Sequence, residues 1–397
     1  MYKPVKITDH IFWVGVNDRR THLFENLWPL EKGVSYNSYI IVDEKVALID
    51  TVEISKTNNF FEKIDSAIGD KKIDYLIINH IEPDHSGAIR ATIQRYPEIK
   101  IVGNRQTFKI LNEFYGIKDN LYEITRDTQM DLGKHQLSFF ITPMLHWPET
   151  MMTYEQTNKI IFSGDAFGSY GTLDGGVIDE ELNTNFYDEE VRRYYSNIVG
   201  KYWNPVQKAL SLLENTPIDI IASTHGPVWK KDVKKIVALY DKWSRFEADT
   251  GVVIVYGSMY GNTEKMAEIM ARVLNENGIK EIMMYDSSKT HISYIINDIF
   301  KYKGILFGSS TYNGIIFPSM GSLLSKIINT GIKNRLLGIF GSATWGGGGV
   351  KALEDFAERM KWDVIGDPVQ ARGAPDISDI EKCEKIAKQM AKQLLNH

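Results

Sequence analysis

Over the first 230 or so positions, apolar residues fall in short runs, and several of these runs stop at a polar residue able to bind a metal. YIIVD (39–43) and VALID (46–50) form one pair, and Glu44 and Lys45 between them predict a hairpin. DYLIINH, LSFFIT, KIIFSGD and IDIIASTH read as further strands, each ending beside a His or an Asp. Strands that carry polar side chains at their carboxyl ends give such groups a rigid mounting. From Lys230 to Thr250 the pattern becomes charged and helical, in KKDVKKIVALYDKWSRFEADT. GVVIVYG follows, apolar and rich in β-branched residues, and predicts the buried first strand of a new domain. The boundary is therefore expected near Thr250, giving domains 1–250 and 251–397. In the second half, VVIVYG, a helix around EKMAEIMARVL, GILFGSS, another helix and LLGIFGS alternate. Alternation of this kind predicts a parallel, doubly wound α/β sheet.

Composition narrows the function. A chain of 397 residues has room for two domains. A net charge of −5 gives no basic excess for nucleic acid. No apolar run reaches bilayer-spanning length, and the N-terminal MYKPVKITDHIFWVG lacks the apolar core of a signal peptide. Cys383 is the single cysteine, so an intrachain disulfide, a cysteine-rich metal site or an iron–sulfur centre cannot be built from it. The expectation is a cytoplasmic protein with no membrane and no nucleic-acid partner.

Seven of the nine histidines precede residue 230. Four potential ligands fall within six residues in His80-Ile81-Glu82-Pro83-Asp84-His85, and His146, Asp165 and His225 each follow a strand-like run. A single strand-end histidine is ordinarily a hydrogen-bonded structural residue. Together, these histidines and carboxylates are enough for two metal ions. Imidazole and carboxylate suit iron, zinc or manganese, and no thiolate is offered. Carboxylates offset the charge of two divalent ions, and one can bridge them.

This series resembles the ligand set of the metallo-β-lactamase fold, whose zinc hydrolases carry His-x-His-x-Asp-His. Glu82 stands here at the second histidine position. With that change the chain resembles the flavodiiron protein family. The resemblance implies that His80, Glu82 and His146 bind one iron, that Asp84, His85 and His225 bind the other, and that Asp165 bridges them. It also implies an N-terminal metallo-β-lactamase-like αββα sandwich with small-molecule pocket residues at Trp147 and Tyr195. In HLFENLW, Glu25 stands where many members of the family carry a pocket histidine.

Three glycine- and hydroxyl-rich loops follow strands of the second half: Ser258-Met259-Tyr260-Gly261-Asn262-Thr263, Ser309 to Gly314, and Ser342 to Gly349. The first sits at a helix N-terminus, which favours an anion. It has neither GK[ST] nor G-x-G-x-x-G, so it suits a single phosphate rather than a triphosphate or dinucleotide. Ser310, Thr311, Tyr312, Asn313 and Gly314 in the second loop, and Ser342, Ala343, Thr344, Trp345, Gly346 and Gly347 in the third, add aromatic surface beside glycines. These loops resemble those of flavodoxins and imply FMN, with its phosphate on 258–263 and its ring against Tyr312 and Trp345.

The resemblance as a whole implies an oxidoreductase in which FMN passes electrons to two non-haem irons. There O₂ would be reduced to water with four electrons, or two NO to N₂O with two. The implied donor is external, a rubredoxin or a reduced deazaflavin coenzyme. The implied assembly is a head-to-tail homodimer or a dimer of dimers. Two rival readings stay open: a zinc-dependent hydrolase with an appended flavodoxin domain, and a non-catalytic electron carrier.

Overall fold

The structure, a computed structural model, describes residues 2–396. The chain forms two compact units, one ending at Asp241 and the next beginning at Lys242. That division lies within the helix Val233–Ser244, and Thr250 lies inside the following strand, Asp249–Gly257.

The first unit contains a seven-stranded and a five-stranded sheet. Tyr39–Val42 and Val46–Ile49 form the predicted hairpin, with Val42 opposite Val46. Val46–Ile49 then pairs in parallel with Tyr75–Ile77, which pairs in parallel with Lys100–Gly103. In the other sheet Gln136–Ile141, Met151–Glu155 and Ile160–Gly164 run antiparallel, and Ile220–Ser223 joins Ile160–Gly164 in parallel. Val46–Ile49, Ile160–Gly164 and Ile220–Ser223 are buried along their whole length, which explains their nearly continuous apolar sequence. Helix Thr57–Ile68 buries Phe60, Ile64 and Ile68, spaced by four residues on one face. Each such side chain stabilises by about 1.5–3 kcal/mol.

The second unit is the predicted parallel sheet. Its strands lie in the order Ile282–Asp286, Asp249–Gly257, Tyr302–Tyr312, Leu336–Ala343, with Asp363–Val364 and Val369–Arg372 continuing beyond the last. The first strand in sequence therefore lies inside the sheet, and the chain reverses direction beside it, where such folds bind ligands at the carboxyl edge. Met266, Met270 and Leu274 on helix Asn262–Glu276 and Ile386, Met390 and Leu394 on helix Ile377–Leu395 share one core with Ile254, Leu306 and Phe340. Cys383 is buried in that core. Burial pushes its thiol up to about 12, so it is an inert packing residue.

Candidate metal and flavin sites

Most of the predicted metal ligands lie just beyond a strand end or in a short helix, while His146 lies in the loop between Gln136–Ile141 and Met151–Glu155. His80 lies three residues beyond Tyr75–Ile77, Asp165 directly follows Ile160–Gly164, and His225 lies two beyond Ile220–Ser223. Pro83 starts the helix Pro83–Ser86, which turns Asp84 and His85 back towards the strand ends. The seven side chains converge in two groups: His80, Glu82, His146 and Asp165, and Asp84, His85 and His225. Asp165 faces both. Its Oδ2 lies 2.9 Å from His146 Nε2 and 3.6 Å from His80 Nε2. Its Oδ1 lies 2.9 Å from His85 Nε2 and 3.7 Å from His225 Nε2. Glu82 Oε2 sits 3.1 Å from His80 and 3.2 Å from His146, while Asp84 Oδ2 sits 3.3 Å from both His85 and His225.

The histidines are held from behind. His80 Nδ1 donates to Glu149 Oε1 at 2.8 Å, and His225 Nδ1 donates to the Ser35 carbonyl at 2.8 Å. Both bonds leave Nε2 aimed into the cluster, the arrangement that fixes a metal-binding tautomer. Thr224 Oγ1 donates to Asp165 Oδ1 at 2.5 Å. Buried Asp50 accepts the Asn79 and His80 backbone amides, and burial raises its carboxyl to about 6 against the pull of His85.

The electrostatics fit metal ions. Both oxygens of Asp84, His85 Nε2 and His225 Nε2 are buried without a hydrogen-bond partner, although they lie close to one another. Buried polar atoms left so are costly. Burial alone would lower His80, yet Asp165, Glu149 and Glu82 hold it well above the usual histidine range. His85 and His146 are likewise raised to about 9 against their burial. Burial favours a neutral Asp165, but the surrounding histidines hold it well below the usual carboxylate range. Protons thus stand in for the positive charge that a metal pair supplies.

A cleft of about 820 Å³ reaches Glu82 and Asp84 and is walled by Phe24, Glu25, Tyr36, Phe114 and Tyr115, among others. Part of Glu25 lies at the surface, but its carboxylate turns towards Glu82. Burial and the Glu82 charge raise it to about 7, and Trp28 Nε1 donates to it at 3.0 Å. Trp147 stands edge-on to His80 with ring centroids 5.3 Å apart.

Tyr195 is fully buried. Its ring packs against Tyr240 at 4.9 Å, whereas Tyr194 stacks on His225 at 5.5 Å. The chain enters a π-turn at Tyr195–Val199. Sequence reading of RRYYSN does not single out Tyr194, whose ring meets the His225 ring. Sequence reading does not reach Glu149, Asp50, Ser35 or Thr224 either. Of these, Asp50 at the end of VALID and Glu149 three residues after His146 carry a signal.

In the second unit the three predicted loops meet in a cavity of about 230 Å³. Ser258, Met259, Tyr260, Asn262, Ser310, Thr311, Asn313, Gly314, Ser342, Ala343, Thr344 and Trp345 line it, with no charged side chain. Gly373, which no sequence signal marks, completes the wall. Gly261, at φ +86°, caps the helix Asn262–Glu276 and donates its N–H to Ser258 Oγ at 3.1 Å. That left-handed conformation suits glycine. Thr263 and Ser342 hydroxyls meet at 3.0 Å beneath the cavity. The amides of Gly348 and Gly349 donate to Thr311 Oγ1 at 3.2 and 3.1 Å, tying the third loop to the second. A Cβ on Gly348 would lie 2.0 Å from the Gly314 carbonyl oxygen. Gly347 sits against the Gln370 side chain, and Gly346, at φ +64°, meets nothing. Trp345 is 84% exposed, whereas Tyr312 is 43% exposed and meets Phe317 edge-on with ring centroids 6.4 Å apart.

Comparison with known proteins follows the same two-part division. Residues 34–226 match the family described as ODP family beta lactamase, and residues 254–386 match the flavodoxin family. The chain is 32% identical to a nitric oxide reductase of Moorella thermoacetica over 399 residues, covering 99% of this chain and 100% of that protein. Among solved structures, rubredoxin oxygen:oxidoreductase from Desulfovibrio gigas superposes with a TM-score of 0.95 at 29% identity, covering 99% of both chains. A mutant of the flavo di-iron protein from Thermotoga maritima gives 0.91 at 27% identity, covering 98% of both.

Proposed function

Because the chain belongs to the flavodiiron protein family, and is therefore an oxidoreductase, we propose that it reduces O₂ to water, NO to N₂O, or both, at two iron ions served by FMN. The observation that carries this reading is Glu82. Its carboxylate lies within 3.2 Å of two ligand histidines, where the zinc hydrolases of the fold place a third imidazole. A hard anionic oxygen favours ferric over ferrous iron and so supports redox cycling, whereas zinc has no such cycle. Relatives named for NO and for oxygen chemistry support the substrate class.

His80, Glu82 and His146 would hold one iron and Asp84, His85 and His225 the other, with Asp165 shared. When bound, the iron pair supplies coordination positions for the gas, and FMN supplies electrons singly or in pairs. The chain's own side chains do the rest. Glu149 and the Ser35 carbonyl fix the imidazole tautomers. Trp147 and Phe24 pack against the ligand rings and keep water from them. The Glu25 carboxyl, at the cleft beside Glu82, would hold or pass a proton there. In the second unit the amides and hydroxyls of 258–263 would take the FMN phosphate, and Tyr312 and Trp345 would flank the ring.

The donor in this reading is external, a rubredoxin or a reduced deazaflavin coenzyme, and the setting is the cytoplasm. Among the described residues no helix is long and apolar enough to cross a membrane. The assembly is a head-to-tail homodimer or a dimer of dimers. Exposed Leu23, Ile54 and Phe114 at the metal cleft, and exposed Met259, Tyr312 and Trp345 at the flavin loops, support two apolar rims that cover each other between copies.

Anaerobic single-turnover assays of the reduced, iron-loaded protein with O₂ and with NO test the function. Rapid flavin reoxidation with gas consumption is expected. Zinc alone in protein purified without chelators, with ester or lactam hydrolysis and no gas consumption, would overturn it in favour of a hydrolase.

A further inference from the structure

One wall of the metal cleft is a short hairpin, Leu23–Phe24 paired with Trp28–Pro29. Its tip, Glu25 and Asn26, holds φ of +51° and +56°. Left-handed backbone is unfavourable for Glu and persists where the surroundings impose it. Inside the hairpin Leu27 N–H donates to Phe24 O at 2.9 Å, and Trp28 holds the Glu25 carboxylate. Phe24 drives its ring edge-on against His225 at 5.2 Å and also meets Tyr170 and Tyr194. The hairpin therefore touches the cluster on one side and forms the cleft on the other.

A buried cation holds it from below. Arg193 is 2% exposed. Its Nη2 donates to the Pro29 carbonyl at 3.0 Å and lies 2.7 Å from Glu190 Oε2. Nε reaches both Glu190 oxygens, at 3.1 and 2.9 Å. The guanidinium also lies 4.4 Å from the centre of the Tyr170 ring, on which Phe24 packs. One planar group thus grips the hairpin twice, directly at Pro29 and through Tyr170 at Phe24. Lysine lacks the fork for that geometry.

We propose that Arg193 is a positioning residue: it pins the Leu23–Pro29 hairpin, and the pinned hairpin sets how readily molecules from solvent reach the metal cluster. The access part rests on the metal reading given above; the pinning part does not. Losing a buried charge-assisted hydrogen bond should shift local opening by about tenfold or more.

The test uses Arg193→Met, Arg193→Lys and Glu190→Gln in the full chain. In metal-free protein, amide exchange in a peptide covering 22–30 should quicken about tenfold in Arg193→Met while a peptide covering 136–141 is unchanged. Arg193→Lys should restore part of the protection, and Glu190→Gln should act in the same direction with smaller effect. In iron-loaded protein, removal of iron by EDTA should accelerate about tenfold in Arg193→Met. Unchanged exchange in 22–30 overturns the proposal, as does acceleration spread over the whole unit. Should Arg193→Met fail to fold, the other two variants decide. Should the protein take up no iron, the metal reading fails while the exchange result still judges the pinning.

Discussion

Glu149 accepts the Nδ1–H of His80 at 2.8 Å, and both side chains are fully buried. The carboxylate also accepts the Ile81 amide at 3.0 Å, so one group sets both the ring and the backbone of the first ligand. Glu149→Ala should weaken metal binding in the His80 half by about 10–100-fold. Competition with a chromophoric chelator measures it. Unchanged affinity would mean that Glu149 only fills space.

The metal-free protein should lose stability as the pH rises. His85 and His146 stand at about 9 in the folded, metal-free state against 6.5 unperturbed. The folded form therefore binds more protons than the unfolded form between those values. Their contribution is complete below about 6.5 and gone above about 9. Denaturant midpoints across that window should fall for chelator-treated protein and stay flatter for metal-loaded protein, where the ion replaces the protons. Parallel curves would contradict the assignment.

The flavin loops separate stacking from architecture. Trp345→Ala should leave stability within about 0.5 kcal/mol, because the side chain is 84% exposed, yet weaken FMN about 3–10-fold. Gly348→Ala should do more damage, since its Cβ would lie 2.0 Å from Gly314 O and push two loops apart. Fluorescence titration of FMN into apoprotein distinguishes them. Equal effects of the two changes would argue against a ring seated on Trp345.

Subunit mixing tests the head-to-tail assembly. His146→Asn removes a metal ligand and spares the flavin loops, while Gly348→Ala does the reverse. Either homodimer should be nearly inactive. Co-expressed with separate tags and purified as the mixed dimer, they should regain gas reduction, because one intact flavin then faces one intact metal site. A mixed dimer as inactive as its parents would rule out electron transfer between subunits.

Much of this was legible in the sequence because the informative residues sit where a strand stops. Strands such as KIIFSGD announce both a buried element and the group it delivers, so seven candidate ligands could be picked out by type and place, while their division between two irons came from the family resemblance. The flavin loops were legible for the same reason: a parallel sheet puts all its carboxyl ends on one edge. What stayed hidden came from distant parts of the chain. Ser35 supports His225 across 190 positions, and Gly373 reaches the flavin cavity from beyond the last long strand. Tyr194 and Tyr195 show a different limit. Adjacent helical residues point about 100° apart, and side-chain identity alone does not say which of the two rings meets His225.

Asp165 belongs to both halves of the cluster, and this has a consequence for how the centre assembles. The first ion to arrive neutralises and orients a carboxylate that the second also needs. Loading of two ions would therefore be coupled rather than two independent equilibria. The two halves differ too: one offers Glu82 and two imidazoles, the other Asp84 and two imidazoles. An ion held by the first half would then bias what the second half accepts, so the supply of iron during folding would bear on the finished centre.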